Sequence, residues 1–507
     1  MRTLVDRYAD RILGVVSCYD RVIVRGGIPE FGYAKGMESY LRARGIRLFD
    51  FPKFAMPYRE AIRENAEQLA RAHGIEIQFI RHHETRKEQI VSKILEQRGD
   101  APGLVAILSA LEVCLSFEAR YDKKTGRTSL KPDRAKCLHY YFYFIDEDLG
   151  LCFMRVPTWC PFGVQAYFNG HNMLAAKLRK AGIEYQMLDN AFTHIGDWEV
   201  AQKRADESDS RLVHAKLDQY ARLFCPVIDA LGVCYRWYLT QVEYATDVVF
   251  RRQADLRPIY ETLVRTAVHA VKPTQICTFL GRKHGLHSNN TEEIGNDFNT
   301  RIQGTRVKHR MGPCSIKMYD KAGIILRIET TTNNPSWFTH YRTVAHRDGT
   351  SSHEQAPLKK NIYSLHDLRQ LAVAANRRYL EFLSSIDDPT VAIETVRRVS
   401  EKVHDAGRAY SGFNFFSDQD VRLFEIVLRG EHMIQGFRNA HLREHMPDRS
   451  PGQVSRMLKR LRSHGLIKKL GRTYKYYVTQ SGRTVITTGL KLKNIVLIPE
   501  LARAMAA

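Results

Sequence analysis

The stretch from residue 305 to residue 330 contains the side chains of this chain that are best suited to chemistry. Lys317, Tyr319, Asp320 and Lys321 lie within five consecutive positions, and Glu329 follows eight residues later. A phenol, two ammonium groups and two carboxylates can serve as nucleophile, counter-charges and ligands for a hard divalent cation. The spacing therefore predicts a reactive site, provided that the chain folds so that these groups share one face or rim.

A β-meander is the element that would position these groups. Its strand-like pieces are residues 305–311, 315–319 and 324–330. Breaks at Gly312 and Gly323 separate the pieces, and the ends of neighbouring strands in a meander lie close together. The alternative is structural: Asp320 bonds local amides in a turn at the strand end, and Arg327 pairs with Glu329 or Asp320. The residue types leave both interpretations open.

The phrases IKMYDK and LRIE, which contain these five residues, resemble a stretch in the replication initiators of plasmids and single-stranded phages. Those proteins cut one DNA strand with a tyrosine nucleophile beside a divalent metal. The resemblance implies that Tyr319 is the nucleophile and that Asp320 and Glu329 bind Mg²⁺ or Mn²⁺. It further implies that Lys317 or Lys321 neutralises the phosphate. The chain lacks the two histidines, separated by one apolar residue, that such enzymes carry on a strand.

A second pattern, near the C-terminal end, predicts a well-capped helix. Ser450 is a favourable N-cap, Pro451 fits the first turn, and Gln453 completes a capping box. Apolar residues recur at helical spacing and would face a core: Val454, Met457, Leu458 and Leu461. Polar and cationic residues fall on the opposite face: Gln453, Arg456, Lys459, Arg460 and Ser463.

A basic hairpin is predicted directly after this helix. Residues 466–479 form two short strand patterns that turn at Gly471 and Arg472, and residues 418–429 and 435–446 predict two further helices upstream. Three helices and a basic hairpin in this order, with the phrases HGLI and Y-x-V-T-x-x-G, are similar to the winged helix-turn-helix domain of MarR-like regulators. The alternative use of such a domain is protein contact alone.

The resemblance to winged helices assigns roles to the charged residues. A recognition helix reads base edges in the major groove, whereas the wing contacts phosphates or the minor groove. The groove-facing residues would be Gln453, Arg456, Lys459 and Arg460. The residues that hold the nucleic-acid backbone would be Lys468, Lys469, Arg472 and Lys475.

The composition narrows the class of protein. A chain of 507 residues with a net charge of +22, and with basic residues spread along its length, is expected to bind a polyanion such as DNA or RNA. No phosphate-binding loop or dinucleotide fingerprint occurs, so no nucleotide or organic cofactor is expected. The nine cysteines contain no C-x-x-C pair, which argues against structural zinc. The N-terminus lacks a secretory h-region and no long apolar run occurs, so we expect a cytoplasmic protein without a membrane partner.

Strand and helix patterns alternate in the N-terminal part, which predicts a multidomain α/β protein with a mixed sheet. The predicted divisions are an N-terminal α/β domain (1–206), a helical segment (207–272), a β-meander region (273–345), a helical connector (346–410) and the winged helix domain (411–507). Glu112, Glu118 and Asp247 are further candidate ligands, with ion pairing as the alternative. The aromatic strand at residues 140–144 fits either base stacking or a core.

These patterns together predict a basic nucleic-acid-binding protein, associated with a mobile element or with replication. It would act on DNA or structured RNA and could cleave a strand with a metal ion. The first alternative is a non-enzymatic MarR-like transcriptional regulator whose large N-terminal region senses a ligand or forms a homodimer. The second is an RNA-binding scaffold.

Overall fold

The chain folds as a multidomain α/β protein with one large mixed sheet. The computed structural model describes residues 4–82, 84–207, 209–281, 294–301, 304–384, 396–405, 407–429, 432, 436–471 and 473–498. The chain divides into two compact units that are each discontinuous in sequence. Unit 1 contains Met1–Leu13, Val248–Thr330 and Leu371–Ala507, and unit 2 contains Gly14–Asp247 and Thr331–Gln370. The boundaries predicted from the sequence were consecutive instead.

The large sheet has 11 strands. They are β1 Ile12–Gly27, β2 Ile77–Phe79, β3 Gly103–Asp122, β4 Arg127–Asp146, β5 Gly150–Pro157, β6 Val164–Phe168, β9 Arg236–Phe250, β10 Ile294–Arg301, β11 Gly304–Met311, β12 Cys314–Lys321 and β13 Ile325–Thr332. Their order in the sheet is β10-β11-β12-β13-β9-β1-β6-β5-β4-β3-β2. The β2–β3 pair is parallel, and the β3–β4, β4–β5, β5–β6 and β1–β6 pairs are antiparallel.

Short hairpins and helices complete the two units. The hairpin strands are β7 Tyr185–Met187, β8 Phe192–Ile195, β14 Thr339–Ala345, β15 Ser351–Pro357, β16 Val403–Asp405, β17 Arg408–Tyr410, β18 Ile467–Lys469 and β19 Tyr476–Val478. The helices are α1 Leu4–Arg7, α2 Ala34–Ala43, α3 Phe51–His73, α4 Lys87–Arg98, α5 Gly170–Lys180, α6 Trp198–Asp206, α7 Ser210–Phe224, α8 Val227–Leu231, α9 Gln253–Ala270, α10 Pro273–Phe279, α11 Leu365–Ser384, α12 Asp418–Val427, α13 Asn439–Glu444, α14 Pro451–Ser463 and α15 Gln480–Lys491. Within the part of the chain that the structure describes, every helix is too short or too polar to span a lipid bilayer.

Two secondary-structure predictions are wrong. Residues 207–272 were expected to be mostly helical, but Arg236–Phe250 is strand β9, at whose start Trp237 and Leu239 are buried whereas Arg236 and Tyr238 are exposed. This two-residue alternation is that of a strand, and the aromatic residues also favour one. The connector at residues 346–410 was expected to be helical, but its residues Ser351–Pro357 form a strand that pairs with Thr339–Ala345. That hairpin is largely exposed and polar, so it lacks the apolar alternation by which a strand is recognised.

The predicted meander is confirmed in β11, β12 and β13. The β11–β12 pairing is antiparallel and runs from Val307 opposite Met318 to Met311 opposite Cys314. Every residue of Ile325–Thr332 is buried, as expected for a strand in the interior of a sheet. The meander therefore provides a rigid support for the side chains that it carries.

The aromatic strand at residues 140–144 belongs to the core. All five of its side chains are buried, and the Phe142 ring stacks on Phe224 at 4.5 Å between centroids. Buried rings that pack on one another are not available to stack on bases. The core interpretation of this stretch is therefore the correct one.

His309 on β11 gives unit 1 a pH-dependent stability. The ring donates from Nδ1 to Asn296 Oδ1 at 2.7 Å and accepts at Nε2 from the Tyr379 hydroxyl at 2.9 Å, and burial lowers the pKa of His309 to about 4. The unfolded chain titrates near the ordinary value of 6.5, so the unfolded state binds more protons between these two pH values. Stability is therefore expected to fall as the pH drops from 6.5 towards 4, by about 2 kcal/mol at pH 5.

Amide hydrogen exchange of β11 at pH 7 and pH 5, corrected for intrinsic rates, measures this loss. His309→Gln keeps a polar side chain that does not titrate, so its protection should change less with pH. An equal acid response in wild type and His309→Gln would contradict the assignment.

Candidate functional site

The meander brings Lys317, Tyr319 and Glu329 together. Lys317 and Tyr319 lie two residues apart on β12 and so point to the same face of the sheet. The Lys317 Nζ atom lies 2.5 Å from Glu329 Oε1, and the Tyr319 hydroxyl donates to Glu329 Oε2 at 2.8 Å. Glu329 is buried, with 2% of its surface exposed. A phenol and an ammonium group thus converge on one buried carboxylate.

Asp320 takes a different position from the one expected of a metal ligand. Its Oδ1 accepts from the backbone N–H of Gly323 at 2.8 Å, in a turn where Ala322 and Gly323 both have positive φ. Burial raises the pKa of Asp320 above its usual range. Lys321 ends β12, and its carbonyl accepts from the N–H of Ile324 at 3.4 Å. The structural alternative for Asp320, a turn that bonds a local amide, is therefore confirmed.

In unit 2, a histidine lies between two buried carboxylates. The His171 Nδ1 atom is 3.2 Å from Asp20 Oδ1 on β1, and its Nε2 atom is 3.3 Å from Asp247 Oδ2 on β9. All three side chains are buried. The Asn190 amide also donates to Asp20 Oδ1 at 2.6 Å. Buried charges require partners of this kind, and the imidazole orients both carboxylates.

A glycine allows His171 to reach this position. A Cβ atom on Gly170 would lie 2.4 Å from the carbonyl oxygen of Tyr19, so no other residue permits α5 to begin so close to β1. The Asn169 side chain caps the helix by accepting from the N–H of His171 at 2.7 Å. The start of α5 is thereby held beside Asp20.

Three acidic residues form a group that could hold a metal ion: Asp20, Glu243 and Glu329. One carboxylate oxygen from each lies within 4.8 Å of the other two. Their strands β1, β9 and β13 are neighbours in the order of the sheet. Mg²⁺ and Mn²⁺ favour such oxygen ligands. Glu329 was predicted as a ligand from the sequence, whereas the predicted partner Asp320 is not a member of this group.

Sequence reasoning missed Asp20 and Glu243. Asp20 lies on β1 among the buried residues Val16, Val22 and Val24, where a carboxylate is a signal of function or pairing. Glu243 and Asp247 lie four residues apart in the segment that was predicted to be helical. The sequence around Asp20 or Glu243 does not indicate that Glu329 lies nearby. The three carboxylates meet because their strands come from distant parts of the chain and lie side by side in the sheet.

The other acidic candidates are ion-pair members. Glu112 accepts from Arg155 at 2.6 Å and from the Tyr141 hydroxyl at 2.6 Å, and Lys87 lies 3.5 Å away. Burial opposes ionisation of Glu112, but these hydrogen bonds outweigh it and leave its pKa lowered. Glu118 is exposed and pairs with a neighbouring arginine at 2.8 Å. The ion-pair interpretation is therefore the one that their geometry supports.

The predicted cap of α14 is confirmed. Ser450 Oγ accepts from the N–H of Gln453 at 3.3 Å, and Gln453 Oε1 accepts from the N–H of Ser450 at 2.8 Å. The predicted apolar stripe is buried: Val454, Met457, Leu458 and Leu461. The Gln453 side chain, expected in the groove-facing set, is thus engaged in the cap.

Arg460 was expected to face a nucleic acid, and this expectation is corrected. Its guanidinium makes two bonds to Asp420, at 2.8 and 2.9 Å, and donates to the carbonyls of Ser411 and Gly412 at 3.0 and 2.5 Å. It also lies over the Phe413 ring at 3.8 Å. The long side chain extends towards the buried Asp420, so Arg460 connects α14 to α12 and to the segment that precedes α12.

The remaining predicted cations are largely exposed. Arg456, Lys459 and Lys468 are exposed, and we call these three residues the cationic face. Among the residues that the structure describes, no carboxylate lies within ion-pair distance of them. Lys469 and Lys475 are half-buried and lie 5.1 Å and 5.6 Å from the ring centroids of Tyr474 and Tyr477. The predicted wing residue Arg472 lies outside the described residues.

The hairpin β18–β19 is held against α14 and α15. Lys468 pairs with Tyr477 in an antiparallel register, which confirms the predicted hairpin. A Cβ atom on Gly482 would lie 2.1 Å from the carbonyl oxygen of Leu466, so only glycine permits α15 to pack on the start of the hairpin. This requirement gives a physical reason for the glycine in the Y-x-V-T-x-x-G phrase.

Two groups of residues thus stand out: the acidic group with Lys317 and Tyr319, and the cationic face of the C-terminal module. No model of a known protein family and no curated protein matches this chain. Its function is therefore inferred from the residues and their geometry.

Proposed function

We propose that this chain is a nucleic-acid-binding protein whose C-terminal module, residues 411–498, works as a winged helix-turn-helix. The cationic face carries this proposal: Arg456 and Lys459 project from the exposed side of α14, and Lys468 projects from the hairpin. Helix α14 would enter the major groove, and the hairpin would contact the phosphate backbone. The net charge of +22 adds a long-range attraction for a polyanion.

The separation of the two faces of α14 supports this role. If α14 served only for packing, carboxylates close to its exposed cations would stabilise it by lowering the electrostatic energy. Exposed cations without such carboxylates are therefore better explained by a polyanionic partner. Arg456 carries a planar guanidinium that can bind a guanine edge through two hydrogen bonds, whereas Lys468 is a point charge suited to phosphate. The duplex is thus the partner that fits both residues.

Duplex binding by Arg456→Ala tests this proposal. We expect the affinity to fall by about 1–3 kcal/mol on a duplex selected from a random pool, because a bidentate base contact is lost. Lys468→Ala should instead lower the slope of log affinity against log salt by about one unit. Fluorescence anisotropy at several salt concentrations measures both effects.

Arg257→Ala is the matched control, since Arg257 on α9 is a highly exposed arginine of the same unit that lies outside the module. It should bind as wild type does. If Arg456→Ala and Lys468→Ala also bind like wild type, the module does not contact the duplex.

A second candidate function is metal-dependent cleavage of a phosphodiester. The acidic group of Asp20, Glu243 and Glu329 favours it, because three carboxylates would bind Mg²⁺ or Mn²⁺ and the metal would polarise a scissile phosphate. Lys317 would neutralise developing charge, and Tyr319 would serve as the nucleophile. Binding by the module and cleavage by the acidic group would together suit a replication-associated or mobile-element protein, located in the cytoplasm.

The regulator and scaffold alternatives use the module without the acidic group. A regulator would bind duplex and show no cleavage in Mg²⁺ or Mn²⁺, and an RNA scaffold would favour structured RNA over duplex DNA. A cleavage assay and a comparison of the two nucleic acids therefore separate all three functions.

A further inference from the structure

Unit 2 contains a large groove that neither proposed activity uses. Its volume is about 760 Å³, and its lining residues come from α3, β2, β3 and β4 and from the segments just before α3 and just after β5. Trp159 forms part of the lining and donates from Nε1 to Ser116 Oγ at 2.9 Å. The Phe51 ring contacts the Phe117 and Trp159 rings edge-to-face, at 6.0 and 6.4 Å between centroids. Phe51, Phe117 and Trp159 therefore form an aromatic cluster in the lining of the groove.

Large apolar side chains line this groove while remaining exposed. Phe49 is 59% exposed, Phe79 46% and Leu111 62%. Single exposed apolar residues are ordinary, but three around one concave surface mark a binding site. The flat faces of Phe49 and Phe79 suit a planar, largely apolar group.

Cations accompany these rings. Arg59 and Arg63 lie one turn apart on α3, line the groove and share the single carboxylate of Glu60, at 3.5 and 3.3 Å. Lys136 lines it from β4, and the acidic lining residues are Glu118 and Asp133. Residues 118–136, which form the outer part of the β3–β4 ribbon, contain seven Lys or Arg residues and three Asp or Glu residues. The surroundings of the groove are therefore positively charged despite the two acids.

We infer that this groove binds an unpaired strand of nucleic acid, with bases stacked on Phe49 and Phe79 and phosphates beside Arg59, Arg63 and Lys136. Aromatic faces next to a cationic track are the features by which proteins bind single strands, because every base has a π-face. A duplex offers no such base, since its bases are stacked on each other. The inference rests on the proposed nucleic-acid function and adds a second site, specific for single strands.

Binding of labelled oligo(dT) and oligo(U), each about a dozen nucleotides long, to the full chain tests this site. Phe49→Ala and Phe79→Ala should each weaken binding by about tenfold or more, because a stacked base is lost. Phe49→Trp should bind like wild type, since tryptophan also stacks. Arg63→Gln should lower the salt slope by about 0.7, the value for one phosphate of a single strand.

Tyr341→Ala is the matched control, because Tyr341 is a 68% exposed aromatic residue of the same unit that does not line the groove. It should bind oligo(dT) as wild type does. Unchanged binding in both Phe variants, or an equal loss in Tyr341→Ala, would overturn the inference. The inference would also be overturned if the groove bound an apolar peptide but neither oligonucleotide. Binding of the peptide in the groove would be recognised by quenching of tryptophan fluorescence that Trp159→Phe removes.

Duplex binding separates a failure of this inference from a failure of the proposed function. The groove variants should retain full duplex affinity, whereas Arg456→Ala should lose it. If Arg456→Ala loses duplex affinity and the Phe variants keep single-strand affinity, the module stands and the groove is rejected. If only the Phe variants have an effect, the groove stands and the module is rejected.

Discussion

Glu329→Gln is expected to lower metal-dependent cleavage of DNA or RNA by roughly a hundredfold or more, the scale at which loss of one electrostatic group reduces catalysis. Glutamine keeps the shape of the side chain and removes its negative charge. The acidic group then loses one of its three carboxylates, and Mg²⁺ or Mn²⁺ binds more weakly. Labelled single-stranded and duplex substrates, incubated with each metal, measure the rate.

Tyr319→Phe distinguishes two routes of cleavage. If the Tyr319 oxygen attacks, it forms a bond to phosphorus while the bond to the leaving sugar oxygen breaks, and the strand remains attached to the protein. Tyr319 donates to Glu329 Oε2 at 2.8 Å, so this carboxylate is placed to accept the phenolic proton. If water attacks instead, the cleaved strand would have free ends and Tyr319→Phe would stay active. A denaturing gel separates the covalent adduct from the free product.

Glu112→Gln is the matched control for Glu329→Gln. Like Glu329, Glu112 is held by a tyrosine hydroxyl and by a cation, but it is not a member of the acidic group. Both variants lose an ion pair, so a general loss of stability should affect them alike. Mn²⁺ binding followed by electron paramagnetic resonance provides a readout that does not need activity. If well-folded Glu329→Gln cuts and binds Mn²⁺ as wild type does, the acidic group is structural.

Arg460→Ala is expected to destabilise the C-terminal module by about 3–5 kcal/mol, the cost of breaking a buried ion pair. Asp420 is 6% exposed and would lose two of its hydrogen bonds, retaining the one that it accepts from the N–H of Asn414. The stacking on Phe413 would disappear as well. Arg460→Lys keeps the charge but not the planar fork, so an intermediate loss is expected.

Arg456→Ala, on the exposed side of the same helix, is the control and should change stability by less than about 0.5 kcal/mol. Hydrogen exchange of the α12 and α14 amides reports on the module without requiring the whole chain to unfold in one step. Equal exchange in Arg460→Ala and Arg456→Ala would show that the Asp420 pair contributes little.

Features that depend on near neighbours along the chain can be predicted from the amino-acid sequence. The cap of α14 follows from Ser450 and Gln453, three positions apart, and its buried stripe follows from apolar residues at helical spacing. The meander follows from short strands between glycine-containing turns, and the α/β class follows from alternating strand and helix patterns. Local backbone preferences and local hydrogen bonds decide such elements, so a short window of residues contains the necessary information.

Contacts between distant side chains depend instead on the complete fold. Asp20 and Glu329 are more than 300 positions apart, and the order of strands in the sheet places their carboxylates together with Glu243. Arg456 and Arg460 were both predicted on the exposed side of their helix. Arg460 instead bonds Asp420, which is 40 positions away in the sequence, so it is not one of the exposed cations. Strand pairing and the direction of a long side chain depend on the energy of the whole packed chain. A local pattern therefore predicts the elements, whereas the composition of a site built from several strands is set by the fold.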